Sequence, residues 1–175
     1  MAVDSGPPLR VCFVCTGNIC RSPTAEVVFR QLAEDRGWGE LVEVDSAGTG
    51  PWHAGHDMDP RARHTLLAHG YQPHEHVAKQ FLAEDFDERD VVIAIDSGHL
   101  SRLGSLARLS AEPDDAISGL SLLRSYDPSA GDDLDVPDPY YDGAEGFENV
   151  LEQIERASAG LLNALEPQLA ERRAR

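Results

Sequence analysis

The stretch Leu9-Arg10-Val11-Cys12-Phe13-Val14-Cys15-Thr16-Gly17-Asn18-Ile19-Cys20-Arg21-Ser22-Pro23-Thr24-Ala25-Glu26 decides the fold. Its first seven residues are apolar but for Arg10 and include the β-branched Val11 and Val14, as in a strand covered on both faces. Thr16 to Arg21 is a short polar loop, in which Gly17 and Asn18 are at home in turns. Ser22 then reads as a helix N-cap, Pro23 as the first helical position and Glu26 as a first-turn acid. Ala25, Val28, Phe29, Leu32 and Ala33 recur on one helical face until Gly37 ends the run. Strand, tight loop and helix in succession open a βαβ unit.

The rhythm continues outward. Leu41 to Ala47 reads as a second strand closing at Gly48, and Pro60 to His69 as a helix ended by Gly70. Val91 to Ile95 is a third, buried strand, Ser97 to Leu106 a helix, and Leu120 to Tyr126 a fourth strand. A last helix, from Gly146 to about Leu169, carries Phe147, Val150, Leu151, Ile154, Leu161, Leu162 and Leu165 on one stripe. Such alternation predicts an α/β fold with three layers: a doubly wound, four-stranded parallel sheet with helices on both faces. Residues 1–8 are expected to be a loose tail, 9–170 one domain, and 171–175 a frayed basic end. Asp127 to Gly143 breaks the pattern. It is rich in Asp, Pro and Gly, and a structureless loop that long inside a compact domain is functional or disordered.

Charge narrows the partners. Thirty-one acidic residues against fifteen basic ones give a formal net charge of −16 in 175 residues, and Lys79 is the only lysine. A surface this acidic repels a polyphosphate backbone, so no nucleic acid is expected. No apolar run is longer than that of Val91 to Ile95, far short of the ~20 residues a bilayer span needs, so no membrane insertion is expected either. Met1 to Arg10 shows no secretory signal, and Cys12, Cys15 and Cys20, bunched together and odd in number, fit a reducing compartment. The expected location is cytoplasmic, with signal-independent export left open. The cysteine spacing lacks a fourth zinc ligand nearby, and His53, His56, His74 and His76 match no familiar spacing. No metal and no cofactor are expected.

The loop from Cys15 to Ser22 carries the chemistry. A cysteine at the carboxyl end of a strand sits where parallel α/β folds place ligands. Five residues later the chain must enter a helix, so the loop curls and turns successive N–H groups inward, toward an oxyanion. Arg21 completes the ring with a planar fork that holds two phosphate oxygens. A positive environment of that kind also stabilises a thiolate, so nucleophile and electrophile are gathered by one device. Ser22 is placed to hydrogen-bond the sulfur and help it leave in a second step. The alternative is a buried strand-end cysteine beside a salt-bridged arginine; the Ser-Pro after Arg21 and the strand-loop-helix context favour catalysis.

Cys15 to Ser22, continuing into Pro23-Thr24-Ala25-Glu26, resembles the active-site loop of the low-molecular-weight protein tyrosine phosphatases, most closely the bacterial type. Other landmarks follow in matching order: Asp45-Ser46-Ala47-Gly48-Thr49, Trp52-His53, Asp59-Pro60-Arg61-Ala62, His76 ahead of Ala78-Lys79-Gln80, Ala94-Ile95-Asp96, and Asp138-Pro139-Tyr140-Tyr141. The likeness runs from about residue 9 into the final helix.

The resemblance implies that Cys15 attacks the phosphorus of a phosphotyrosine monoester and forms a phosphocysteine intermediate. Thr16, Gly17, Asn18, Ile19, Cys20 and Ser22 would form the phosphate-binding loop, with Arg21 holding the oxygens where charge accumulates. Composition leaves Asp138 as one acid among Asp127, Asp132, Asp133, Asp135 and Asp142; the resemblance selects it as general acid and then base. Asn18 with Ser46, and His76 beside them, would hold the loop in shape. Trp52, Tyr140 and Tyr141 would wall a slot for the aromatic ring. Cys20 is the expected redox partner of Cys15, and Cys12 is filler. Expected ligands are phosphotyrosine proteins or peptides, with inorganic phosphate or vanadate as inhibitors.

Two alternatives share this fold. Arsenate reduction resembles a relay that needs further cysteines downstream, and none follows Cys20. Protein-arginine phosphatases resemble this loop but carry a threonine where Ile19 stands and a less aromatic acid loop.

Overall fold

The computed structural model describes residues 6–175. The first five residues of the expected tail lie outside that range; Gly6 to Pro8 have no regular structure. Four strands form one parallel sheet in the order β2-β1-β3-β4: β1 (Leu9–Cys15), β2 (Val42–Gly48), β3 (Val91–Ala94) and β4 (Leu120–Leu122). Five α-helices accompany it: α1 (Arg21–Asp35), α2 (Pro60–Ala68), α3 (Ser97–Ala107), α4 (Pro113–Ser118) and α5 (Ala144–Arg173).

The apolar run of β1 has a plain cause. Its side chains alternate between two cores, one on each face of the sheet. Leu9, Val11, Phe13 and Cys15 join the larger core with α1, α2 and α5. Cys12 and Val14 join the smaller one with α3 and α4. On the larger side Phe13 and Phe29 are fully buried with ring centroids 5.5 Å apart, each worth roughly 1.5–3 kcal/mol of burial. The chain leaves β1 for β2 on one side and later returns to β3 on the other. The carboxyl end of β1 is therefore a switch point, and Cys15 stands on it.

Several local readings change in the structure. Cys20, not Ser22, is the N-cap of α1, and Arg21 is its first residue. Ser22 fails as a cap because its hydroxyl is taken elsewhere, by the Cys15 sulfur and by Asn18. The fourth strand stops at Leu122, and Leu123 to Tyr126 wind into a 3-10 turn that drops the fully buried Leu123 into the larger core. Helix α4 and the 3-10 turn over Ala83–Glu88 were not anticipated; both are short, with little room for periodicity to show.

Helix α5 starts at Ala144 and runs to Arg173, well past Leu169. The expected frayed end is thus largely helix, secured because the Arg172 guanidinium donates to the Pro7 carbonyl at 2.6 Å and Arg173 lies over the Trp38 ring. Midway along α5, Gly160 meets the segment that leads into the acidic loop. A Cβ at Gly160 would lie 1.8 Å from the Tyr126 carbonyl oxygen, so only glycine permits this contact.

Candidate active site

The loop after β1 is shaped by what happens to its carbonyls. The oxygen of Cys15 accepts from Thr49 N at 2.8 Å, that of Thr16 from Gly50 N at 3.2 Å, and that of Ile19 from Asp59 N at 2.8 Å. The Asn18 carbonyl accepts from His76 Nε2 at 2.6 Å. The Cys20 carbonyl accepts from Thr24 N and, at 2.7 Å, from Thr24 Oγ1. The carbonyls are thus engaged by neighbouring segments. Among the described residues no group takes the N–H of Gly17, Asn18, Ile19 or Cys20. Donors left over at a helix entrance in this way form an anion cradle.

Asn18 is the keystone. It is fully buried and, among the described residues, the one non-glycine with positive φ, at 59°. Asparagine tolerates that conformation better than other side chains. Its Nδ2 donates to Ser22 Oγ and to Ser46 Oγ, both at 2.9 Å, and its Oδ1 accepts from Lys79 N at 3.0 Å. Ser46 Oγ passes the chain on to Glu26 Oε1 at 2.9 Å. Glu26 is therefore not a first-turn acid but a buttress for the loop. Gly48, at the end of β2, lets the strand approach this closely: a Cβ there would lie 2.6 Å from the Thr16 oxygen.

Cys15 Sγ lies 3.0 Å from Ser22 Oγ, and both residues are buried. Arg21, also buried, points its guanidinium across the cradle. Nη1 donates to Asp96 Oδ2 at 2.9 Å and to the Val136 carbonyl at 3.0 Å. Nη2 reaches Thr16 Oγ1 at 3.4 Å and Asp138 Oδ2 at 3.6 Å. The other carboxylate oxygen of Asp138 accepts from Tyr140 N at 3.1 Å, and its side chain is half exposed.

These groups line one open cavity of about 350 Å³, with Gly17, Ile19, Cys20, Trp52 and His53 on its walls and Tyr140 and Tyr141 at its rim. The two tyrosine rings meet edge-on at 5.0 Å, and Arg61 lies over the Tyr140 ring at 5.3 Å. Of the residues expected at the site, Asn18, Ser22, Ser46 and His76 act on the loop from behind and the others line the cavity.

Cys20 shares the cavity with Cys15, but burial, with Asp59 nearby, pushes its thiol well above the ordinary value. A thiol held protonated is a slow attacker, which bears on any disulfide with Cys15. Cys12, fully buried, is raised as well and packs as a small apolar group.

Among the contributors that escaped the sequence reading are Asp96, His99 and Val136. Asp96 follows β3 and caps α3, accepting from His99 N at 2.9 Å, while holding Arg21. A carboxylate just past the carboxyl end of a central strand is a detectable signal. His99 and Val136 carry no local signature, since each acts by tertiary placement alone.

A doubly wound sheet whose switch point ends in an amide cradle defines a class of phosphate-handling α/β proteins, and the thiol within the cradle narrows it to cysteine-dependent enzymes. A family model described as low molecular weight phosphotyrosine protein phosphatase matches residues 10–171, and the chain belongs to that family. It is 56% identical over 166 residues to a Streptomyces coelicolor protein named low molecular weight protein-tyrosine-phosphatase, covering 94% of this chain and 98% of that one. A solved protein tyrosine phosphatase from Entamoeba histolytica superposes with a TM-score of 0.84 at 31% identity, over 91% of this chain and 98% of the other. A structure titled drosophila arginine phosphatase superposes at 0.81 with 32% identity, over 89% and 97%.

Proposed function

We propose that this chain hydrolyses phosphotyrosine in proteins or peptides, with Cys15 as nucleophile, Arg21 as oxyanion clamp and Asp138 as general acid and base. The observation that carries the reading is the single cavity in which Cys15 lies at the floor, Arg21 on the wall and Asp138 at the mouth, rimmed by Tyr140, Tyr141 and Trp52. An aryl ring fits between aromatic walls while its phosphoryl group reaches the cradle.

In this mechanism the Cys15 sulfur attacks phosphorus in line with the departing phenol oxygen. The loop N–H groups and Arg21 hold the equatorial oxygens. Asp138 gives its proton to the leaving phenolate, whose parent pKa of about 10 makes it an easier leaving group than an alkoxide. The resulting carboxylate then takes a proton from water, which attacks the phosphocysteine and releases inorganic phosphate. Once the sulfur is an ion it only accepts, so the Ser22 hydroxyl donates to it and eases its departure. Asp138 faces Arg21 Nη2 directly, so an arriving phosphoryl group takes over that donor and turns the carboxyl toward the ester oxygen. The three free thiols suit a reducing compartment, and the cytoplasm is the proposed location.

The test is an assay of the purified chain on p-nitrophenyl phosphate and on phosphotyrosine, phosphoserine and phosphoarginine peptides. Phosphotyrosine is expected to be hydrolysed fastest, with competitive inhibition by phosphate and vanadate and no turnover by Cys15→Ser. Faster phosphoarginine cleavage would replace the aryl reading, and a Cys15→Ser enzyme near wild-type rate would overturn the mechanism.

A further inference from the structure

Thr16 lies on the wall of the cavity, and its hydroxyl has an unusual set of neighbours. His99 Nε2 stands 2.8 Å from Thr16 Oγ1, and Arg21 Nη2 stands 3.4 Å from it. An arginine is always protonated, so the second contact is always a donor to the hydroxyl.

The first contact is a donor as well. His99 is buried at the third position of α3, and its Nδ1 lies 3.2 Å from the Asp96 backbone N–H. That N–H has no other acceptor among the described residues. A backbone amide only donates, so Nδ1 must keep its lone pair and Nε2 must carry the proton. Asp96 Oδ1, which accepts the N–H of His99 at 2.9 Å, also lies 3.2 Å from Nδ1, but a proton on Nδ1 would set the Asp96 N–H against a second donor and leave it without an acceptor. Burial, aided by the Arg21 charge nearby, pushes His99 down to about 4 despite Asp96, Asp135 and Asp138, so the ring is neutral at neutral pH. Both lone pairs of Thr16 Oγ1 thus receive protons from behind. The hydroxyl's own hydrogen has one direction left, away from His99 and Arg21.

We propose that Thr16 acts as an obligate hydrogen-bond donor to the oxyanion bound in the slot, and that His99 is the positioning residue that makes it one. The inference rests on the phosphatase reading and adds to it. A hydroxyl ordinarily donates or accepts, and so serves a water as well as an anion. One whose lone pairs are both filled rewards only an acceptor, and the fully ionised phosphate monoester is the strongest acceptor on offer. His99 touches no substrate; it works through Thr16.

The experiment measures kcat and KM on p-nitrophenyl phosphate and the inhibition constant of inorganic phosphate, for Thr16→Val, Thr16→Ser, His99→Phe, His99→Gln and the double variant Thr16→Val with His99→Phe. Thr16→Val is expected to weaken phosphate inhibition about tenfold and lower kcat/KM by a similar factor, the usual scale for one hydrogen bond to an anion. Thr16→Ser keeps the hydroxyl and recovers most of the loss. His99→Phe reproduces Thr16→Val, and His99→Gln, whose side-chain amide still donates, recovers part of it. The double variant is no worse than Thr16→Val alone, since the second change removes only what acts through the first. Losses that multiply in the double variant would overturn the role of His99. Phosphate inhibition within twofold of wild type in Thr16→Val would overturn the donor itself. Should His99→Phe fail to fold, Thr16→Val and His99→Gln carry the test. A wild-type chain that neither hydrolyses p-nitrophenyl phosphate nor binds phosphate would instead sink the phosphatase reading.

Discussion

Two loops face each other across the cavity, and they are built in opposite ways. The cysteine loop is bonded on every side but the one its N–H groups face: Asn18 alone holds Ser22, Ser46 and the Lys79 backbone, and neighbouring segments take up the loop's carbonyls. The acidic loop is fastened chiefly at its stem. There Asp135 accepts from Ser97 N at 2.7 Å, Arg124 donates to the Asp135 carbonyl, and Val136 bridges Ile95 and Arg21. Beyond Val136 the chain is more open, touching Arg21 at Asp138 and Arg61 at Tyr140, with Asp138 half exposed and Tyr141 90% exposed. The contrast follows from the two tasks. Charge stabilisation is effective only when donors are fixed before the reaction, whereas a proton donor at the mouth must let substrate in and product out.

The rigid half breaks hardest. Arg21→Lys keeps the charge but loses the fork shared among Asp96, Val136 and Asp138. kcat/KM is expected to fall about 10³-fold on every substrate, the scale seen when an oxyanion donor is lost; an even loss across leaving groups, measured by steady-state kinetics, is the signature. Asn18→Ala is expected to cost about 3 kcal/mol of stability in denaturant melts. It leaves three polar partners unmatched and forces alanine to a φ of 59°. Asn18→Gly, free of the second penalty, sits about 1 kcal/mol higher.

The open half responds differently. Asp138→Asn should slow phosphotyrosine cleavage about 10²-fold while sparing phosphate inhibition and the unfolding midpoint, because the side chain supports chemistry and not packing. Equal losses in melting and in rate would erase the distinction between the loops. The smallest effect concerns pH. His99 binds a proton in the unfolded chain near 6.5 but in the folded one only near 4, so the unfolded state gains protons first on acidification. Stability therefore falls between those limits, by about 1.5 kcal/mol from pH 6.5 to pH 5. His99→Gln removes that part of the slope, and denaturant melts at the two pH values measure it.

The difference between the loops also governs what could be read from residues alone. The strand into Cys15, the turn at Gly17 and Asn18 and the helix after it are local, so their order was legible, and the alternation after them laid out the sheet. The same local habit misplaced the cap onto Ser22, because a serine before proline has every mark of one until a sulfur claims its hydroxyl. It also drew out the fourth strand beyond Leu122, where apolar residues continue but the backbone has already begun to coil toward α5. Asp138 could not be separated from its acidic neighbours by composition, since only the fold sets one of them against Arg21. His99 and Val136 were invisible for the same reason. One speaks through a threonine eighty-three positions away and the other through a bare carbonyl.

Gly160 sits on a helix that never touches the cavity, yet it lets the Tyr126 backbone lie flush against that helix just ahead of the acidic loop's root. A single added methyl there would lever the root outward and shift Asp138 relative to Cys15. The placement of Asp138 opposite Arg21 is thus guarded, at long range, by an absence.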